Sequence, residues 1–189
     1  MPDRRPNALG RTLAAQMSIL GSVLAAMWCL ELADQLLLQG WLDRFGIVPR
    51  SWLGLRGIVL APFLHGSLAH LAANTVPLAV LGWLVMLPRT SDFWLVSAAA
   101  ALVGGAGTLL LGAPQTVHLG ASTLIFGYLG FLLLRGYFQR NALSIVLSLG
   151  VAALYGSALL GVLPLQPGVS WQSHLFGFLG GALTARART

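Results

Sequence analysis

FWLVSAAAALVGGAGTLLLG, residues 93–112, contains no charged side chain. An apolar helix of roughly 20 residues crosses a bilayer, because it satisfies its own backbone where no water can. The Ala and Gly content of this stretch suits close helix contact, so it is expected to pack centrally in a bundle. Two short polar turns bound it: LPRTSD (residues 87–92) before, and GAPQTVH (residues 112–118) after. Further apolar runs lie on either side at about residues 13–37, 67–87, 119–134 (extending to 138), 142–163 and 169–185. FQRN (138–141) and the two-proline LPLQPG (163–168) separate the last three. The expected fold class is therefore all-α, a polytopic membrane protein with six transmembrane helices at 13–185. Short tails at 1–12 and 186–189 would flank it. The stretch at 38–56 is too long for a turn. Asp43, Arg44, Pro49 and Arg50 interrupt it as a span, and its Trp41 and Trp52 suit the interface.

Composition agrees. Of 189 residues, 57% are hydrophobic and 8% charged, and the mean hydropathy is +0.80. A soluble domain of this size cannot hide that much apolar surface. Disorder, coiled coil and a disulfide scaffold are excluded on the same grounds, the chain having a single Cys. Arg4, Arg5 and Arg11 before an apolar run would also suit a signal peptide. That run is long and no cleavage site follows it, so it is read as an uncleaved first span.

All eleven basic residues are Arg. With both termini cytoplasmic, Arg4, Arg5, Arg11, Arg89, Arg135, Arg140, Arg186 and Arg188 fall inside. Only Arg44, Arg50 and Arg56 fall outside, as the positive-inside rule requires. The arginines are scattered at helix ends and form no nucleic-acid patch.

The informative residues are polar groups inside the spans. His70 and Asn74 are four apart and share a helix face. Ser122 lies near the start of the fourth span and His174 near the start of the sixth. In the six-span plan all three helices begin at the outer face, so the four groups fall at similar depth. Asn74 would be about 6 Å below His70. Alone, a serine in a span bonds its own helix or fills a gap, the reading adopted for Ser97, Ser144, Ser148 and Ser157. A buried histidine is a functional candidate by default. His65 and His118, near the boundary, can simply be wet. Two histidines and an amide are weak metal ligands, so no metal or other cofactor is expected. A transporter would place polar groups along a path across the membrane, whereas these cluster at one depth.

The chemistry that suits them is nucleophilic acyl transfer. Neutral His174 can take the Ser122 proton if spans four and six touch. Gly177 and Gly181 after His174, with Gly120, Ala121, Gly127 and Gly130 around Ser122, permit that contact. No carboxylate is at hand to orient His174, so packing must hold a dyad. His70, the Asn74 amide and the Ser122 N–H can stabilise an oxyanion.

Three segments resemble the rhomboid family of intramembrane serine proteases: HGSLAHLAAN (65–74), GAST (120–123) and HLFGFLGG (174–181). The resemblance covers nearly the whole chain. It implies Ser122 as nucleophile, His174 as base, and His70 and Asn74 at the oxyanion. His65 would be less directly involved, and Phe126 would pack against His174. It implies cleavage of membrane-anchored substrates near the outer face, often at small residues. A monomer in a bacterial inner membrane is expected. Two positions depart from the family. Thr123 replaces the last Gly of the serine motif, where it either crowds the sixth span or is accommodated, and Thr123→Gly is expected to be tolerated. Arg56 and Gly57 stand where a Trp-Arg pair often supports the first loop. These departures favour the other reading, a rhomboid-like protein that binds membrane clients without cutting them.

Overall fold

A computed structural model describes residues 8–188. Arg4 and Arg5 of the N-terminal tail, and Thr189, lie outside the described residues. The long helices are α1 (Ala8–Ala33), α3 (Leu68–Met86), α4 (Ser91–Leu111), α5 (Ser122–Gln139), α6 (Ala142–Tyr155) and α7 (Trp171–Ala187). A short α2 (Gly57–Leu60) lies in the first connection. Among the described residues there is no strand, only one antiparallel bridge between Ile47 and His118.

Helix ends follow side-chain chemistry. The Ser67 hydroxyl accepts the His70 N–H at 3.1 Å and starts α3. The Asn141 side chain accepts the Ser144 N–H at 2.9 Å and starts α6. A π-turn (Asp34–Leu38) extends α1, and a 3-10 segment (Gly156–Val162) extends α6.

Four helical stretches are long and apolar enough to cross a membrane: Ala8–Leu38, Leu68–Met86, Ser91–Leu111 and Ala142–Val162. Six were expected. The remaining two are α5, which is interior, and α7, which packs on α4 and α5. Every residue of α5 from Thr123 to Leu132 is buried, and α7 has 17 residues. α7 buries the face that carries Gly177, Gly180 and Gly181 and leaves Leu179 and Leu183 exposed. A Cβ at Gly181 would run into the Gly127 carbonyl, one at Gly130 into the Phe178 carbonyl, and one at Gly180 into the Ala99 carbonyl. Backbone approach of this kind lets α4, α5 and α7 pack as one unit. Residues 93–112, expected to pack centrally, bury one face, with Val96 and Ala100 fully buried, and leave Trp94, Leu102 and Leu110 exposed on the other.

The first connection contains no long helix, as expected. Turns at Trp41–Phe45 and Trp52–Arg56 precede α2, and Trp52 is 89% exposed. Asp34 accepts the Leu42 N–H at 2.8 Å. Arg56 donates to the Arg44 carbonyl at 3.0 Å and stacks on Phe45. A Cβ at Gly57 would strike the backbone of Gly46 and Ile47. Arg56 and Gly57 thus support this loop with the residues present. Ser97 bonds its own helix at Phe93 O, as read from the sequence, and also joins the Tyr128 hydroxyl on α5 at 2.7 Å. Ser148 instead reaches across to Leu132 O at 2.6 Å, tying α6 to α5.

Candidate active site

A cavity of about 520 Å³ lies where α3, α5 and α7 begin, and His70, Asn74, Ser122 and His174 all line it. Residues that the sequence placed only at a common depth are thus brought together laterally around one cavity. Each residue sits near the N-terminus of its helix. Ser122 is the first residue of α5, where backbone N–H groups have no intrahelical partner and the helix dipole favours negative charge.

His174 is held on two sides. Its ring stacks on Phe126 with centroids 4.0 Å apart and planes 8° from parallel. Its Nδ1 is 2.9 Å from the Gly161 carbonyl. A carbonyl only accepts, so Nδ1 carries the proton and Nε2 keeps its lone pair. The orienting group is therefore a backbone oxygen in the segment after α6. Sequence reasoning missed it, since any residue at 161 has a carbonyl. No hydrogen bond joins Ser122 to His174 among the described residues. Catalytic pairs are commonly loose before substrate arrives.

Asn74 is buried, and its Nδ2 has no hydrogen-bond partner. A buried N–H without a partner is costly, so this amide is poised to donate to a group entering the cavity. His70 lies against the backbone before Ser122. A Cβ at Gly120 would be 2.9 Å from His70 Nε2, and Gly120 has φ +118°. Glycine is required there on both counts.

His65 and His118 are not merely wet. His65 is 1% exposed, and its Nε2 accepts the Ala121 N–H at 3.2 Å, just before the serine. Burial, and then the neighbouring His70, push its pKa down to about 4. It is therefore neutral at pH 7, as an acceptor must be. His118 exchanges two backbone hydrogen bonds with Ile47, at 2.8 and 2.9 Å. Its ring joins Thr116 at 2.7 Å and Ser170 at 2.6 Å. From Ser170 the chain of hydroxyls continues through Ser173 to Thr108. It links the first loop, the turn before α5 and the start of α7. Burial lowers the His118 pKa as well.

Thr123 is accommodated. Its methyl fills the space left by Gly104 on α4 and lies against Gly177 on α7. The two glycines leave the room that Thr123 occupies.

Proteins of similar sequence place the chain. The family model described as Rhomboid domain matches residues 53–188. An uncharacterized protein of Mycobacterium tuberculosis is 44% identical over 169 residues, covering 85% of this chain and 70% of the relative. An uncharacterized protein of Mycobacterium leprae is 40% identical over 192 residues, covering 97% and 75%. A Bacillus subtilis protein named "Putative rhomboid protease YdcA" is 28% identical over 139 residues, covering 73% and 68%. The matched stretch contains His70, Asn74, Ser122 and His174, and with that match over most of its length the chain belongs to the rhomboid family.

Proposed function

We propose that this protein is an intramembrane serine endopeptidase of six spans, with α5 and α7 counted among them. Residues 13–185 form the membrane domain, and both termini are cytoplasmic in a bacterial inner membrane. The orientation rests on the arginine distribution. Substrates are membrane-anchored proteins cut near the outer face, and the monomer suffices because one chain holds the whole site.

The observation that carries this reading is the state of His174. Gly161 fixes the tautomer, Phe126 fixes the plane, and the ring faces the cavity that Ser122 lines. Ser122 Oγ attacks the scissile carbonyl carbon while His174 Nε2 takes its proton. The resulting oxyanion accepts hydrogen bonds from Asn74 Nδ2, from His70 and from the Ser122 N–H. Collapse breaks the C–N bond, and His174 returns the proton to the leaving amine. Water then hydrolyses the acyl-enzyme by the same exchange. None of these steps requires a metal or cofactor.

Labelling of the purified protein with a fluorophosphonate tests this. Labelling of wild type, lost in both Ser122→Ala and His174→Ala, is the expected result. A folded wild type that neither labels nor cleaves a transmembrane peptide would shift the assignment to a client-binding protein. The accommodated Thr123 weighs against that second reading.

A further inference from the structure

A second cavity of about 380 Å³ lies at the opposite ends of the helices, far along α5 from Ser122. Arg89, Arg135 and Arg188 line it with one carboxylate, Asp92. Asp92 is 1% exposed and pairs with Arg188 Nη2 at 2.8 Å. Its other oxygen is 3.9 Å from Arg135 Nη1. Arg135 is 6% exposed. Its Nε donates to Gln139 at 2.7 Å, but Nη1 is buried with no hydrogen-bond partner. Arg188 Nε is likewise buried and unpartnered.

As a purely structural ion pair this arrangement is incomplete. Among the described residues three guanidinium groups face one carboxylate, an excess of two positive charges around an open volume. Buried charge and buried N–H groups both require partners. Guanidinium groups match the oxygens of a phosphate in a bidentate manner. Pro88 and Phe138 also line it, so the cavity combines cationic groups with apolar surface. That is the chemistry of a lipid at a membrane–water boundary, and helix ends lie at that level.

We propose that this cavity binds a phosphate group, that of an anionic phospholipid headgroup, between Arg89, Arg135 and Arg188. Asn141 lines the same space and adds a neutral amide. In the orientation proposed above the cavity faces the cytoplasmic leaflet, where basic pockets between helices hold anionic lipid. The site itself depends on neither that orientation nor proteolysis.

The test uses purified full-length protein in neutral detergent. Native mass spectrometry reads retained phosphatidylglycerol against phosphatidylcholine, and thermal unfolding reads stabilisation by each lipid and by millimolar inorganic phosphate. Preferential retention of phosphatidylglycerol, with a rise in Tm, is expected. Arg89→Gln removes an exposed rim charge and should weaken retention about fivefold, the worth of one basic group near an anionic surface. Arg188→Gln should do at least as much. Arg89→Gln keeps the proposal testable even if Arg135→Gln fails to fold. Equal stabilisation by inorganic phosphate, without lipid preference, would overturn the lipid assignment in favour of a soluble phosphate. Equal retention of both lipids, no effect of phosphate and no change in Arg89→Gln would overturn the site altogether.

Discussion

The Gly161 carbonyl accepts the Nδ1–H of His174 at 2.9 Å. The absence of a side chain at 161 matters as much as the bond. A Cβ there would lie 2.9 Å from Phe126 Cζ and 3.2 Å from His174 Nδ1. Gly161→Ala should therefore shift the ring pair and lower kcat while leaving the fold intact. Steady-state cleavage with circular dichroism alongside checks this. An unchanged kcat would remove Gly161 from the positioning role.

Asn74→Ala deletes the unpartnered buried amide. It should lower kcat about 10- to 1000-fold, as loss of one oxyanion donor does, with little change in KM. Because that amide is unsatisfied in the resting protein, thermal stability should hold or rise. A loss of stability with unchanged kcat would mark Asn74 as structural.

Thr123→Gly should not be neutral, contrary to the expectation from sequence. It removes a methyl seated among glycines and puts glycine near a helix start, costing about 1–2 kcal/mol together. A lower Tm in detergent is the expected outcome. A Tm at or above wild type would show that Thr123 strains the packing.

His65 makes stability depend on pH. It binds no proton in the folded protein until pH falls to about 4, whereas the unfolded chain takes one near 6.5. Its contribution is complete above pH 6.5 and is lost between 6.5 and 4, at about 1.4 kcal/mol per pH unit. His118, also lowered by burial, acts in the same direction. Thermal unfolding of wild type should decline over this window. His65→Gln should show a shallower decline, and parallel curves would exclude His65 as the cause.

Gly181→Val tests the interior. The branched side chain cannot fit against the Gly127 carbonyl, so α5 and α7 must separate. Failure to fold, read as aggregation on size exclusion, is expected. A folded, labelling-competent variant would show that the two helices tolerate a wider spacing.

Several features were legible in the amino acids because they are local. Apolar runs and turns set the ends of two helices to within two residues, 67–87 against Leu68–Met86 and 93–112 against Ser91–Leu111, whereas α1 starts at Ala8 rather than 13 and α6 gives way to a 3-10 segment after Tyr155. The depths of His70, Asn74, Ser122 and His174 followed from counting residues along helices, and motif spacing named them. Counting along the chain did not show that α5 lies enclosed by its neighbours. Apolar content alone does not tell a helix wrapped in protein from one wrapped in lipid.

By itself, then, the sequence determined a membrane-embedded all-α chain and the side chains that can meet at one end of it. Tertiary structure alone decided that a backbone oxygen at Gly161 orients His174, that Gly104 and Gly177 make room for Thr123, and that His65 holds the Ala121 N–H. It also gathered Arg89, Arg135 and Arg188 from three helix ends around Asp92. The division has one physical cause. Helix formation depends on neighbours in the chain, whereas a carbonyl's partner, a glycine's gap and the company of a charge depend on which backbones pack together.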